Sequence, residues 1–108
     1  MRYIFWEWHG FSEKLHRVAS KEDYWVLQNE LMSNPEKGDL IPGLGGARKI
    51  RMAIRRQGKK GGARVIYYFK LDTEIWFLDL YAKNDKADLS PTEKKIVSRN
   101  VATIKEYR

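Results

Sequence analysis

Apolar and polar positions alternate in some stretches of this 108-residue chain and recur at helical spacing in others. Residues 3–8, YIFWEW, are aromatic and β-branched, which predicts a short strand. Ile4, Trp6 and Trp8 would face one side, with Tyr3, Phe5 and Glu7 on the other. After Gly10, Phe11, Leu15 and Val18 fall at helical spacing and predict a weak helix to about Ala19. Ser20 then reads as an N-cap, with Asp23 three residues on as a variant capping box. The helix that follows would run to about Ser33 and bury Tyr24, Leu27 and Leu31. Pro35 ends it, because its ring disfavours the α region at Asn34.

Residues 35–46, PEKGDLIPGLGG, carry turn chemistry at nearly every step and read as a connecting loop. Residues 47–55 read as a strand with divided faces: Ile50, Met52 and Ile54 one way, Lys49, Arg51 and Arg55 the other. A cationic, glycine-rich turn over 56–62 leads into a strand ending at Lys70. Its Val65, Tyr67 and Phe69 share one face, and Arg64, Ile66 and Tyr68 the other. Leu71-Asp72-Thr73 makes a tight connection to a further strand over 75–81, completing a meander. Ser90-Pro91-Thr92-Glu93 is a strong helix start, and Ile96, Val97, Val101 and Ile104 line one face of a terminal helix. The expectation is a single α+β domain over 1–108, with element order β-α-α-β-β-β-α.

Charge changes this picture more than composition does. No acid interrupts residues 41–71, yet nine bases fall there: Arg48, Lys49, Arg51, Arg55, Arg56, Lys59, Lys60, Arg64 and Lys70. The rest of the chain has twelve bases and fourteen acids, so the net charge of +7 comes from this one segment. Six of the eight glycines also lie within 43–68. A solvated patch usually mixes its signs, so a run without acids implies a counter-charge from outside, most commonly nucleic-acid phosphate. An acidic protein or a membrane surface is the blander alternative. Apolar and aromatic content (43% and 13%) supports a folded core, and there is no cysteine for disulfides or thiolate metal sites. No leader pattern or long apolar run appears, so the expectation is a cytoplasmic protein without a membrane partner.

Several chemistries lack their residues. The segment 43–48, GLGGAR, has the wrong last residue for a dinucleotide fingerprint and precedes a strand. Gly58-Lys59-Lys60 lacks the spaced glycine and hydroxyl residue of a P-loop. His9 and His16 lie far in sequence from the basic centre and read as surface or packing residues. Neither a metal site nor a cofactor is expected, since ligand spacing is missing and Asp79, Asp85 and Asp88 are the nearest approach to an acidic cluster. What remains is phosphate chemistry run by cations. RNA brings its own nucleophile, the 2′-hydroxyl, so a protein need only align it and manage charge and protons. Arginine can stabilise a charged phosphorane, and a lysine crowded by arginines is drawn towards use as a base. Residue types alone leave binding and cleavage equally open.

Asn34-Pro35, Gly38-Asp39, GGARKIRMA, GKKGGARVIYY and the later LYAKNDKADLS together resemble the RelE/HigB superfamily of toxin-antitoxin toxins, most closely its HigB-like branch. The match covers roughly residues 24–100, and the first 23 carry little of it. The resemblance implies a small RelE-like fold, an antiparallel sheet with an N-terminal strand and helices framing a basic concave surface. It implies a ribosome-dependent endoribonuclease that cuts mRNA in the ribosomal A site by metal-free 2′-hydroxyl attack, and so inhibits translation. Lys49 and Arg51 match the family's paired bases on the central strand, one of them acting as general base. Arg64 matches the arginine that holds the scissile phosphate, and Lys83 a further catalytic cation. RNA contacts are expected at Arg48, Arg55, Arg56, Lys59, Lys60, Tyr68, Tyr81 and Asn84, the last standing where some members carry arginine. Tyr81 and Tyr107 are the tyrosines available for the one some members carry near the C-terminus. The partners implied are mRNA, the ribosome and a cognate antitoxin of helix-turn-helix type. The alternatives are a non-catalytic RNA- or ribosome-binding module on the same fold and, more weakly, a DNA-binding partner.

Overall fold

The computed structural model describes residues 2–55 and 62–107. Two local capping signals set the helices. Ser20 accepts from the Asp23 amide while Asp23 accepts from the Ser20 amide, and Ser90 and Glu93 repeat the arrangement with Pro91 at the first helical position. They start helices α2 (Lys21–Ser33) and α3 (Pro91–Glu106), with α1 (Phe11–Val18) before them. The described strands are β1 (Ile4–Glu7), β2 (Asp39–Leu40), β3 (Arg48–Met52), β4 (Ala63–Lys70) and β5 (Glu74–Ala82).

The strands form one sheet in the order β1-β5-β4-β3-β2. The β3-β4-β5 meander is antiparallel as expected, whereas β1 joins the far edge parallel to β5. Two boundaries differ from the sequence reading. The loop over 35–46 contains the short strand β2, because Tyr67 and Arg48 pin it against β3. The Tyr67 hydroxyl donates to the Pro35 carbonyl at 2.7 Å and accepts from the Gly38 amide at 2.9 Å. Arg48 donates to the Gly38 and Glu36 carbonyls at 2.8 and 3.0 Å. The strand expected over 47–55 spans only Arg48–Met52. Beyond it the chain turns to α2, where the buried Asp23 accepts from the Arg55 amide at 3.4 Å.

Both sheet faces are covered. Phe11, Leu15, Leu27 and Leu31 from α1 and α2 bury Ile50, Met52, Val65, Tyr67, Ile75 and Phe77 on one face. On the other, Val97, Val101 and Ile104 of α3 cover Ile66, Trp76 and Leu78. Burying side chains of this size contributes about 1.5–3 kcal/mol each, which holds both layers to the sheet. A bulge interrupts the β4-β5 ladder: Ile66 pairs with Asp79 but Tyr67 pairs with Phe77, so Leu78 is an extra residue. Consequently Ile75, Phe77 and Leu80 face α1 and α2, while Trp76, Leu78 and Tyr81 face α3. No helix among the described residues is long and apolar enough to cross a membrane.

Candidate nucleic-acid interface

Strand alternation and register gather the cations. In β3 the side chains of Ile50 and Met52 go to the core, which leaves Lys49 and Arg51 on the α3 face. Arg51 lies directly opposite Arg64 of β4, and Arg64 lies opposite Tyr81 of β5. Opposed positions in antiparallel strands put Cβ atoms about 4.5–5.5 Å apart, so Arg51, Arg64 and Tyr81 form one row. Lys49, opposite Ile66, stands in the next row on the same face. The bulge at Leu78 brings Tyr81 into this row; strict alternation from Phe77 would turn it into the α1/α2 core.

Glycine sets the edge of the cluster. Gly62 has φ of 59°, and a Cβ there would lie 2.3 Å from the Met52 carbonyl oxygen. Its own carbonyl accepts from the Lys83 amide at 3.1 Å. This one residue therefore joins the ends of β3, β4 and β5 beside Arg64.

Loop 83–90 closes the row on the third side. The Tyr81 hydroxyl is 3.5 Å from the Ala87 carbonyl, and the Lys86 ammonium lies 5.5 Å from the Tyr81 ring centre. Burial pushes the Tyr81 phenol up, helped by the Asp88 and Glu93 carboxylates and opposed by Arg64. The group thus keeps its proton throughout the neutral range. Asp88, in sequence one of the three acids nearest to forming a cluster, lies 3.5 Å from the Lys49 ammonium. Lys83 and Asn84 are exposed on the same loop.

Not every expected site residue joins this cluster. Arg48 alternates to the opposite face, opposite Tyr67, where the loop carbonyls and Glu36 (3.6 Å) hold it. Arg55 lies past the end of β3, its amide on Asp23. Tyr68 is on the α3 face but four residues along β4 from Arg64, beneath Gly46 and the Lys105 ammonium. Tyr107 packs on Trp76 and Lys70 at the far end of the sheet, which leaves Tyr81 as the tyrosine near Arg64. Arg56, Lys59 and Lys60 lie outside the described residues.

Lys70 departs furthest from the sequence picture. It is 7% exposed and donates to the carbonyls of Ile104 (2.5 Å) and Tyr107 at the C-terminus of α3. There it meets the negative end of the helix dipole. Among the described residues, Arg48, Lys49 and Lys70 find carboxylates or carbonyls inside the protein, from partners remote in sequence.

Two comparisons bear on this arrangement. A family model described as the RelE toxin of the RelE/RelB toxin-antitoxin system matches residues 14–107, reaching further towards the N-terminus than the motifs alone. Among solved structures, a mutant of the E. coli toxin RelE in the free state superposes with a TM-score of 0.56. The alignment covers 99% of this chain and 100% of that one at 11% identity.

Proposed function

This chain belongs to the RelE family of toxins from toxin-antitoxin systems, and on that premise we propose that it is an endoribonuclease acting on mRNA at the ribosome. The observation that carries the reading is the row Arg51–Arg64–Tyr81 with Lys49 beside it, two arginines in register with a protonated phenol. In this reading the RNA 2′-oxygen attacks the adjacent phosphorus and the bond from phosphorus to the 5′-oxygen breaks. The products are a 2′,3′-cyclic phosphate and a 5′-hydroxyl. Arg51 and Arg64 take the phosphate oxygens, whose charge grows in the transition state. The Tyr81 phenol delivers a proton to the departing 5′-oxygen. In the free protein Lys49 pairs with Asp88, so it stands as a cation beside the arginines, and the 2′ proton passes to water. The exposed Lys83 and Asn84 extend the surface along the RNA backbone, and the charges of Arg56, Lys59 and Lys60 are expected to add to the affinity for phosphate. A toxin of this kind works with a cognate antitoxin, here expected to be of the helix-turn-helix type.

Primer extension on a defined mRNA, with purified protein and with or without translating ribosomes, tests this. Cuts on ribosomes that Arg64→Ala reduces by about 10²–10³, with RNA affinity falling only a few-fold, are the expected result. Cuts on naked RNA would make the protein a ribosome-independent nuclease. Absence of cuts with RNA binding intact would leave a binding module without chemistry.

A further inference from the structure

At the border of the cationic face, the Asp88 carboxylate stands between two lysines. Asp88 lies two residues before the cap of α3, and its Oδ1 accepts from the Leu89 amide at 2.7 Å. The same oxygen is 3.5 Å from the Lys49 ammonium, and Oδ2 is 3.5 Å from that of Lys94. Two ammoniums from different elements, β3 and α3, thus converge on a single anion. Both contacts are long: Lys14–Asp79 and Lys37–Glu30 close to 2.6 Å. The Asp88 side chain is also 49% exposed. Exposed ion pairs of this kind are weak, so another anion can displace the carboxylate at little cost. A phosphodiester offers the same chemistry, one negative charge shared by two outer oxygens.

We propose that Lys49 and Lys94 form a phosphate subsite next to the Arg51–Arg64 row, and that Asp88 fills it until RNA displaces the carboxylate. The inference rests on reading this face as an RNA surface, and it adds Lys94, which in the sequence is one more polar position on the terminal helix. Asp88 then acts as a competitor built into the protein. Free phosphate or a short, poorly placed RNA meets an occupied site, whereas an RNA already held by the arginines supplies its next phosphate at high local concentration. The Leu89 amide and the adjoining capping box keep the carboxylate close, ready to return when the RNA leaves.

The test uses the full chain and a 2′-O-methyl RNA oligonucleotide, which lacks the nucleophile and cannot be cut. Binding is followed by fluorescence anisotropy across a salt series. Asp88→Asn is expected to tighten binding about two- to five-fold at low salt and to steepen the salt dependence. Lys94→Gln is expected to weaken binding, and to weaken it more in the Asp88→Asn background than in the parent, since the competitor is gone. Asp88→Ser retains an acceptor for the Leu89 amide and guards against a loss of folding in the first variant. Unchanged or weakened binding for both Asp88 variants at unchanged melting temperature would overturn the subsite and leave the nuclease reading standing. The expected affinities alongside an absence of ribosomal cuts would overturn the nuclease reading and keep the subsite. A parent protein that binds no RNA at any salt would overturn both.

Discussion

Lys70 and Arg64 sit six residues apart on one strand with the same charge, and they do different work. The carbonyls at the end of α3 enclose Lys70, so its removal is felt in the fold. Lys70→Ala should cost about 2–4 kcal/mol, since buried acceptors lose a charged donor, while the RNA affinity of the folded protein stays as it was. Thermal unfolding and anisotropy, read together, check both halves. At Tyr81 the balance reverses. Its hydroxyl contact to the Ala87 carbonyl is long, 3.5 Å, so Tyr81→Phe should leave the melting temperature within a few degrees. The rate of cleavage should nevertheless fall about 10²–10⁴-fold if the phenol supplies the leaving-group proton. A single-turnover assay on ribosomes decides it, and an unchanged rate would remove Tyr81 from the chemistry. That Lys49, Arg51 and Arg64 share one sheet face was legible from residue type and alternation, because both are local. The fates of Arg48 and Lys70 were not, because their partners arrive from 10 to 37 residues away.

Among the elements, those that carry their own boundary signals were readable. Ser20 with Asp23 and Ser90 with Pro91 and Glu93 fix where α2 and α3 begin through contacts within one turn. The end of β3 and the existence of β2 were not readable, since a strand exists only where a partner pairs with it. Asp23 and Tyr67 decide both from other parts of the chain. The β4-β5 connection shows a local cost. Leu71 and Asp72 take positive φ values of 54° and 63°, and Leu71 is 77% exposed. A leucine in the left-handed region is strained by about 1–2 kcal/mol, and this one has almost no packing to lose. Leu71→Asn, a residue that tolerates this conformation, is expected to raise stability by about 0.5–1 kcal/mol and the melting temperature by a few degrees. A drop would mean that the exposed leucine has a partner in the folded chain.

At the scale of the whole molecule, stability and charge meet at the start of α3. The Lys86 side chain holds the Glu93 carboxyl below its ordinary value, aided by the Ser90 amide. The Leu89 amide does the same for Asp88, aided by Lys49 and Lys94. Both groups are depressed in the folded state. Their contribution is therefore complete above the unfolded values near pH 4–4.5 and is lost as the pH falls through the lower folded ones. Glu93→Gln should make the protein less stable at pH 7 and its stability less dependent on pH between about 5 and 3, measured by urea unfolding at each pH. A pH dependence equal to that of the parent would count against the Glu93 assignment. The fold is similar to that of the E. coli toxin RelE at 11% identity. The extra residue in β5 bears on how such distant chains are compared. Phe77 and Tyr81 are an even number of positions apart, yet they occupy opposite sides of the sheet. Counting along the chain and counting across space disagree by one from Leu78 onward. A relative without that insertion would carry its equivalent of Tyr81 one position closer to its core phenylalanine. An ungapped alignment would set that residue against Leu80, which points into the core.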